Sequence, residues 1–131
     1  MKLGKILNLK DALEVFVTIK LPIKTAYDIS KFLKVVVEEF NDFQKLREDR
    51  IKALGVPTSD GGFTIEPNTE SYETFVKELN ELTEKEIEVN VPKVDIDLIS
   101  ESEKLTVEDV IKLTDAGILF EKEEALETEL V

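Results

Sequence analysis

The chain of 131 residues contains no cysteine, no histidine and no tryptophan. Without cysteine there is no disulfide framework, no thiolate metal site and no thiol nucleophile, and the compartment leans toward a reducing cytosol. Without histidine, the commonest general base and the commonest zinc ligand are missing, as is the only side chain whose unperturbed pKa lies near neutrality. Long apolar runs are missing too. Nothing approaches the roughly 18 residues of a membrane span, and the opening MKLGKILNLKDALEVF meets Asp11 and Glu14 too early for a secretory signal. A protein soluble where it is made, with no membrane partner, is the expectation. Carboxylates, lysines and Tyr27 or Tyr72 are then the main chemical groups on offer. Acidic clusters such as Glu84, Glu86 and Glu88 carry no sign of a pocket that would push two pKa values apart, so neither an enzyme nor a cofactor is expected.

What the chain does have is acid, unevenly placed. Residues 1–54 carry 11 Lys and Arg against 8 Asp and Glu, whereas residues 55–131 carry 6 against 21, and the net charge of −12 belongs to the second half. A field of this sign disfavours phosphate backbones and anionic membranes, which argues against direct nucleic-acid binding and for a basic protein surface as partner. At 42% hydrophobic the chain suits a single domain, residues 1–131, with a core of its own.

The longest unbroken helical pattern is Pro22 to Gly55, PIKTAYDISKFLKVVVEEFNDFQKLREDRIKALG. Ala26, Ile29, Leu33, Val36, Phe40 and Phe43 recur at steps of three and four, one stripe of a helix of roughly 30 residues and about 45 Å. Gly55 suits a left-handed C-cap and Pro57 blocks continuation. Phe32, Tyr27 and Val35 to Val37 widen the apolar face beyond the stripe. Upstream, Lys2 to Leu7 reads as a frayed start or an edge strand. Asn8 suits an N-cap, and Leu9, Leu13 and Phe16 predict a first helix ending near Ile19. The connection Lys20 to Pro22 forces a tight antiparallel return. Residues 1–55 thus predict a helical hairpin whose first helix covers less than half of the second, leaving the remainder to pack on the rest of the chain, a second copy or another protein.

Residues 56–117 predict an acidic α+β half. Asp60, Gly61 and Gly62 make a turn leading to a strand at Phe63 to Ile65; the glycine pair lacks the preceding apolar strand and following helix of a phosphate loop. Asn68 or Thr69 caps a third helix with Tyr72, Phe75, Leu79 and Leu82 on one stripe. Ile87, Val89 and Val91, then Val94, Ile96 and Leu98, alternate as strands around Pro92, so a two- or three-stranded sheet including Phe63 to Ile65 is expected. Asp95 and Asp97 with Glu101 and Glu103 lack the glycine and glutamate positions of a calcium loop, which leaves a solvated strand face and no metal. Thr106 and Asp109 form a capping box, with Leu105 and Val110 as a hydrophobic staple, for a short C-terminal helix ended by Gly117. Residues 118–131 read as an acidic tail, frayed or docked as a short helix, with Ile118, Leu119 and Phe120 costly to expose. The fold class is mainly α with a small β element: a long antiparallel helical hairpin, a third helix, a small sheet and a C-terminal helix.

The order of LPIKTAYDISKFLK, the helix ending at Gly55, the DGGF turn, FVKELNELTEKEIEVNVPKV and LTVEDVIKL resembles a family of small uncharacterised proteins of tailed bacteriophages and prophages, chiefly from Gram-positive hosts. The resemblance covers roughly Leu9 to Leu113. It implies a phage origin and a setting in the host cytoplasm or the virion, and it brings no established activity from which residue roles could be carried over. Two functional classes follow. One is a non-enzymatic interaction protein, a virion or assembly component or an oligomeric adaptor, contacting its partner through Phe32, Val36, Phe40 and Phe43 of the long helix. The other is an acidic inhibitor of a host nuclease or polymerase, in which carboxylates such as Glu81, Glu84 and Glu88 imitate nucleic acid. Salt separates the two, since an acidic contact weakens with ionic strength and an apolar one does not.

Overall fold

Leu3, Ile6, Leu9, Leu13 and Phe16 recur every three or four residues, and all five are buried together with Ala12. In the computed structural model, which describes residues 1–99 and 105–121, they lie along α1, Leu3–Glu14, and a 3-10 turn, Val15–Thr18. The helix therefore starts five residues ahead of Asn8, which is exposed in mid-helix, and Lys2 to Leu7 is neither an edge strand nor a frayed end. The reason is tertiary. No side chain caps α1; instead the Leu3 N–H donates to the Lys85 carbonyl at 2.8 Å, and the Ile87 N–H donates to the Met1 carbonyl at 2.9 Å. A distant strand-like segment thus serves an amide that helix starts leave without an internal partner. The β-branched run at Val15, Val17 and Thr18 tightens the last turn to 3-10 geometry.

After the short connection the chain returns as α2, Ile23–Leu54, with Pro22 at its N-cap. Its 32 residues rise about 48 Å. Only Ile29, Phe32 and Val36 of this helix are buried; Leu33, Phe40 and Phe43 are half-buried and Ala26 is exposed. The first half of α2 packs on α1, and α3, Glu70–Thr83, lies against the second half, none of whose residues is buried and whose Leu46 stays 49% exposed. Gly55 ends α2 with φ −91° and ψ −178°, an extended rather than left-handed residue. Close approach is what demands glycine: a Cβ there would sit 2.5 Å from the Ile51 carbonyl oxygen and 2.6 Å from that of Thr64.

The β structure is two separate pairs rather than one sheet. β1, Val56–Pro57, pairs antiparallel with β2, Phe63–Thr64, across the turn containing Gly61, whose φ is +86°. β3, Val94–Asp95, pairs in parallel with β4, Leu119–Phe120. A parallel pair needs a crossover, and α4, Val107–Asp115, supplies it. Ile87, Val89 and Val91 keep their inward alternation against exposed Glu88 and Asn90, yet they form no ladder; Glu86 alone makes an isolated bridge, to Lys2. The period of two reports which side chains face the helices. It is silent on whether a partner strand lies alongside. Ile96 to Leu98 is a 3-10 turn, not a strand.

The start of α3 follows its sequence signals, with the Thr69 hydroxyl accepting from the Tyr72 N–H at 3.2 Å. The Thr106 and Asp109 capping box is formed at α4, and Leu105 and Val110 both pack against the core. Gly117, at φ +79°, closes α4 with paired bonds from the Gly117 N–H to the Thr114 carbonyl and from the Ile118 N–H to the Leu113 carbonyl. Ile118 and Leu119 then enter the core as part of a strand approach, not a helix. The rest of the expected tail, residues 122–131, lies outside the described residues. The core joins α1, the first half of α2, β3, α4 and β4 in one contiguous cluster. Among the described residues no helix is long and apolar enough to cross a membrane.

Two expectations follow. Leu13, fully buried in α1, should cost about 2–5 kcal/mol as Leu13→Ala, read as a lowered denaturation midpoint. In the β1–β2 turn, the Thr58 hydroxyl and the Gly62 N–H both donate to the Asp60 carboxylate and hold its pKa below the usual range. Its contribution to the hairpin is therefore present above the ordinary carboxylate pKa and lost as pH falls through the depressed value. Titration of the Asp60 carboxyl by NMR should show that low midpoint, and Thr58→Ala should move it upward.

Candidate functional site

The aromatic stripe of α2 was the natural contact surface in sequence, and the fold uses much of it internally. Phe32 and Val36 are 2% and 0% exposed, enclosed with Ile6, Leu9 and Leu13 in the core, and present no contact face to a partner. Phe40 is half-buried beneath Lys10, whose Nζ lies 4.7 Å from the ring centroid. Phe43 is half-buried as well. The contact surface therefore has to be sought elsewhere.

α3 offers one. Phe75 points inward, with Leu79 and Leu82 half-buried against α2. The apolar arc does not stop there, because Tyr72 and Val76, one helical turn apart, stay 40% and 37% exposed on the flank. With Asn80 they form the floor of a shallow, open groove along the outer face of α3, framed by Glu73, Lys77, Glu81 and Glu84 and lined by that helix and its C-cap alone. Tyr72 belongs to the stripe in sequence and to the groove in the structure. Val76 was the readable signal, since it widens the apolar arc past the stripe that four-and-three spacing marks out.

Glu81 and Glu84 share this groove, whereas Glu88 does not. Glu88 lines a different cleft, of about 980 Å³, between the first half of α2 and the extended segment Glu88 to Lys93. Lys31, Lys34 and Lys93 surround that cleft together with Asp28, over an apolar floor that includes Val35, Val89 and Val91. The three carboxylates grouped by sequence are thus divided between an acidic surface and a largely basic one. Lys93, which the sequence alone did not connect with Lys31 and Lys34, is carried there by the extended run through Pro92.

Local ion pairs set the remaining electrostatics. Glu84, at the C-cap of α3, accepts a hydrogen bond from Lys2 Nζ at 2.6 Å, and that bond raises the lysine pKa above its ordinary value. Lys10 is raised in the same way by Glu14, at 2.8 Å. Lys5 Nζ donates to the Asp115 carbonyl at the end of α4, at 3.0 Å. Arg50 reaches from α2 to Glu78 on α3 through two hydrogen bonds of 2.7 and 2.9 Å. The Asp95 side chain accepts from the Asp97 N–H at 3.0 Å and is occupied as a turn cap, while Glu101 and Glu103 of the acidic run lie outside the described residues. Among the described residues no group of three or more carboxylates is arranged to hold a metal ion.

Comparison with family models, with curated proteins and with solved structures finds no match to this chain.

The Arg50–Glu78 pair is the side-chain clamp between α2 and α3 beside the groove. Both side chains are 41% exposed, so solvent screens the pair despite its two-pronged geometry. A double-mutant cycle with Arg50→Ala and Glu78→Ala should give a coupling of about 0.5–1 kcal/mol that shrinks on adding salt.

Proposed function

We propose that this chain is a non-enzymatic protein-interaction protein of phage origin, an assembly component or adaptor of the host cytoplasm or virion, and that it meets its partner through the outer groove of α3. The observation that carries this reading is the pairing of exposed Tyr72 and Val76 inside a frame of Glu73, Glu81 and Glu84. An apolar centre with a charged rim is the usual anatomy of a protein contact: the centre supplies burial, and the rim supplies register and steering. A tyrosine at such a centre offers a large rigid ring at low entropic cost and a hydroxyl for orientation. The acidity of the rim selects a partner with a basic surface. The phage setting is supported by the sequence resemblance over the helices and the DGGF turn.

The acidic character of α3 also supports inhibition of a nucleic-acid enzyme by carboxylate imitation, and the two readings separate cleanly. Immobilised wild-type chain, Tyr72→Ala/Val76→Ala and Glu73→Lys/Glu81→Lys are each exposed to lysates of host and phage-infected cells at about 0.1 M and about 0.5 M salt. An interaction protein retains the same partner at both salts and loses it about tenfold or more on removing Tyr72 and Val76. Retention that vanishes with salt and depends on the two glutamates alone selects carboxylate imitation. Equal retention by all three chains overturns the groove.

A further inference from the structure

The lysine cleft and the α3 groove have complementary chemistry, and each holds charge that the fold leaves unused. Among the described residues the ion pairs of lysine and arginine are Lys2–Glu84, Lys10–Glu14, Arg50–Glu78 and Lys112–Glu108. Lys31, Lys34 and Lys93 take part in none of them, nor do Glu73 and Glu81. All five side chains are exposed. Three ammonium groups with no carboxylate partner among the described residues therefore surround an apolar floor at one place on the molecule, Lys31 Nζ lying 4.8 Å from the Tyr27 ring centroid, and carboxylates around Tyr72 and Val76 face solvent at another.

The two surfaces cannot meet within one chain. The cleft is set against residues 28–35 of α2, while α3 is clamped to the same helix at Arg50. From Lys34 to Arg50 the helix rises about 24 Å. A pairing of the groove with its own copy around a twofold axis would set only the single Lys77 of each groove against Glu73 and Glu81 of the neighbour, a poorer charge match than the three lysines of the cleft, in a molecule whose net charge is already −12.

We propose that the α3 groove of one molecule docks in the lysine cleft of a second copy, so that the protein self-associates head to tail. Glu73 and Glu81 meet Lys31, Lys34 and Lys93, and Tyr72 and Val76 cover the apolar floor at Val89 and Val91. The minority charges match as well, since Lys77 of the groove finds Asp28 and Glu88 in the cleft. A contact between two different patches leaves a groove free at one end and a cleft free at the other, and it therefore continues into a ring or an open filament. This rests on the reading of the groove as a contact surface and names its partner as the chain itself.

The test is sedimentation velocity over a concentration series at about 0.1 M salt, with the unmodified chain, Lys31→Glu/Lys34→Glu, Glu73→Lys/Glu81→Lys, and an equimolar mixture of the two variants. Circular dichroism should show each variant folded, since all four substituted positions are exposed. The unmodified chain should grow beyond a dimer with concentration, and each variant alone should weaken association at least tenfold. The first variant's groove fits the second's cleft, and the reversed charges of the second's groove match those of the first's cleft, so their mixture should associate about as the unmodified chain does. Association of the unmodified chain should also fall when salt is raised to about 0.5 M. An unmodified chain that stays monomeric, variants that associate as the unmodified chain does, or a mixture that stays monomeric overturns the proposal. If self-association is absent while capture of another protein still depends on Tyr72 and Val76, the head-to-tail pairing fails and the groove stands. If that capture is also indifferent to Tyr72 and Val76, both fail.

Discussion

Burial of α1 on a wide arc is the constraint on which the other elements depend. Its five inward side chains and Phe16 of the 3-10 turn that extends it are six of the fifteen buried apolar residues among those described, from a segment half as long as α2. They occupy about half of the helix circumference at 100° per residue, more than one neighbour can cover. Three helices therefore gather on α1. α2 comes by the short connection. α3 comes close enough that a Cβ on Gly4 would lie 3.2 Å from the Thr83 Cβ. α4 comes with Leu113 in the core and its last turn bonded by Lys5. The segment after α3 finishes the arrangement by supplying the carbonyl that receives the first amide of α1. Folding of this end thus requires residues more than eighty positions apart in sequence.

Because apolar contact accounts for the core, the charged groups are free for other work. No polar or charged residue is buried among those described, and no buried side-chain polar atom lacks a hydrogen bond. The ion pairs are largely at the surface, where each contributes about 0–1 kcal/mol. Acid concentrated on α3 and lysines gathered on the first half of α2 consequently do little for stability. Their separation gives the molecule two faces of opposite local sign within an overall negative field, and such separation steers encounters and selects orientation. The proposed contact through α3 uses the acidic face, and the proposed self-association uses both.

The helical signals were legible because they are local. The bounds of α2, the Thr69 cap of α3, and the capping box and glycine stop of α4 each depend on residues within a few positions of one another, and the structure has them close to where spacing and caps put them. α1 began in the wrong place for the same reason in reverse, since its cap is a carbonyl at Lys85 that no local pattern could reveal. Strand partners were equally hidden. Alternation at Ile87, Val89 and Val91 marked the buried side correctly, yet Val94 pairs with Leu119, beyond an intervening helix. For the candidate surface, exposure of Glu81, Glu84 and Glu88 could be read from their charge, but not the division of Glu88 from the other two.

By itself the sequence determined the fold class, the helical segments near their observed places, the acid of the second half and the apolar faces that had to be covered, because periodicity, capping and charge act over one or two turns of chain. Tertiary structure alone decided what covered those faces. It took Phe32 and Val36 into the core, left Tyr72 and Val76 at the surface, joined β3 to β4 and brought Lys93 to Lys31 and Lys34. Those outcomes depend on how several amphipathic arcs share one limited interior, and that competition is settled only when all of the elements are packed together.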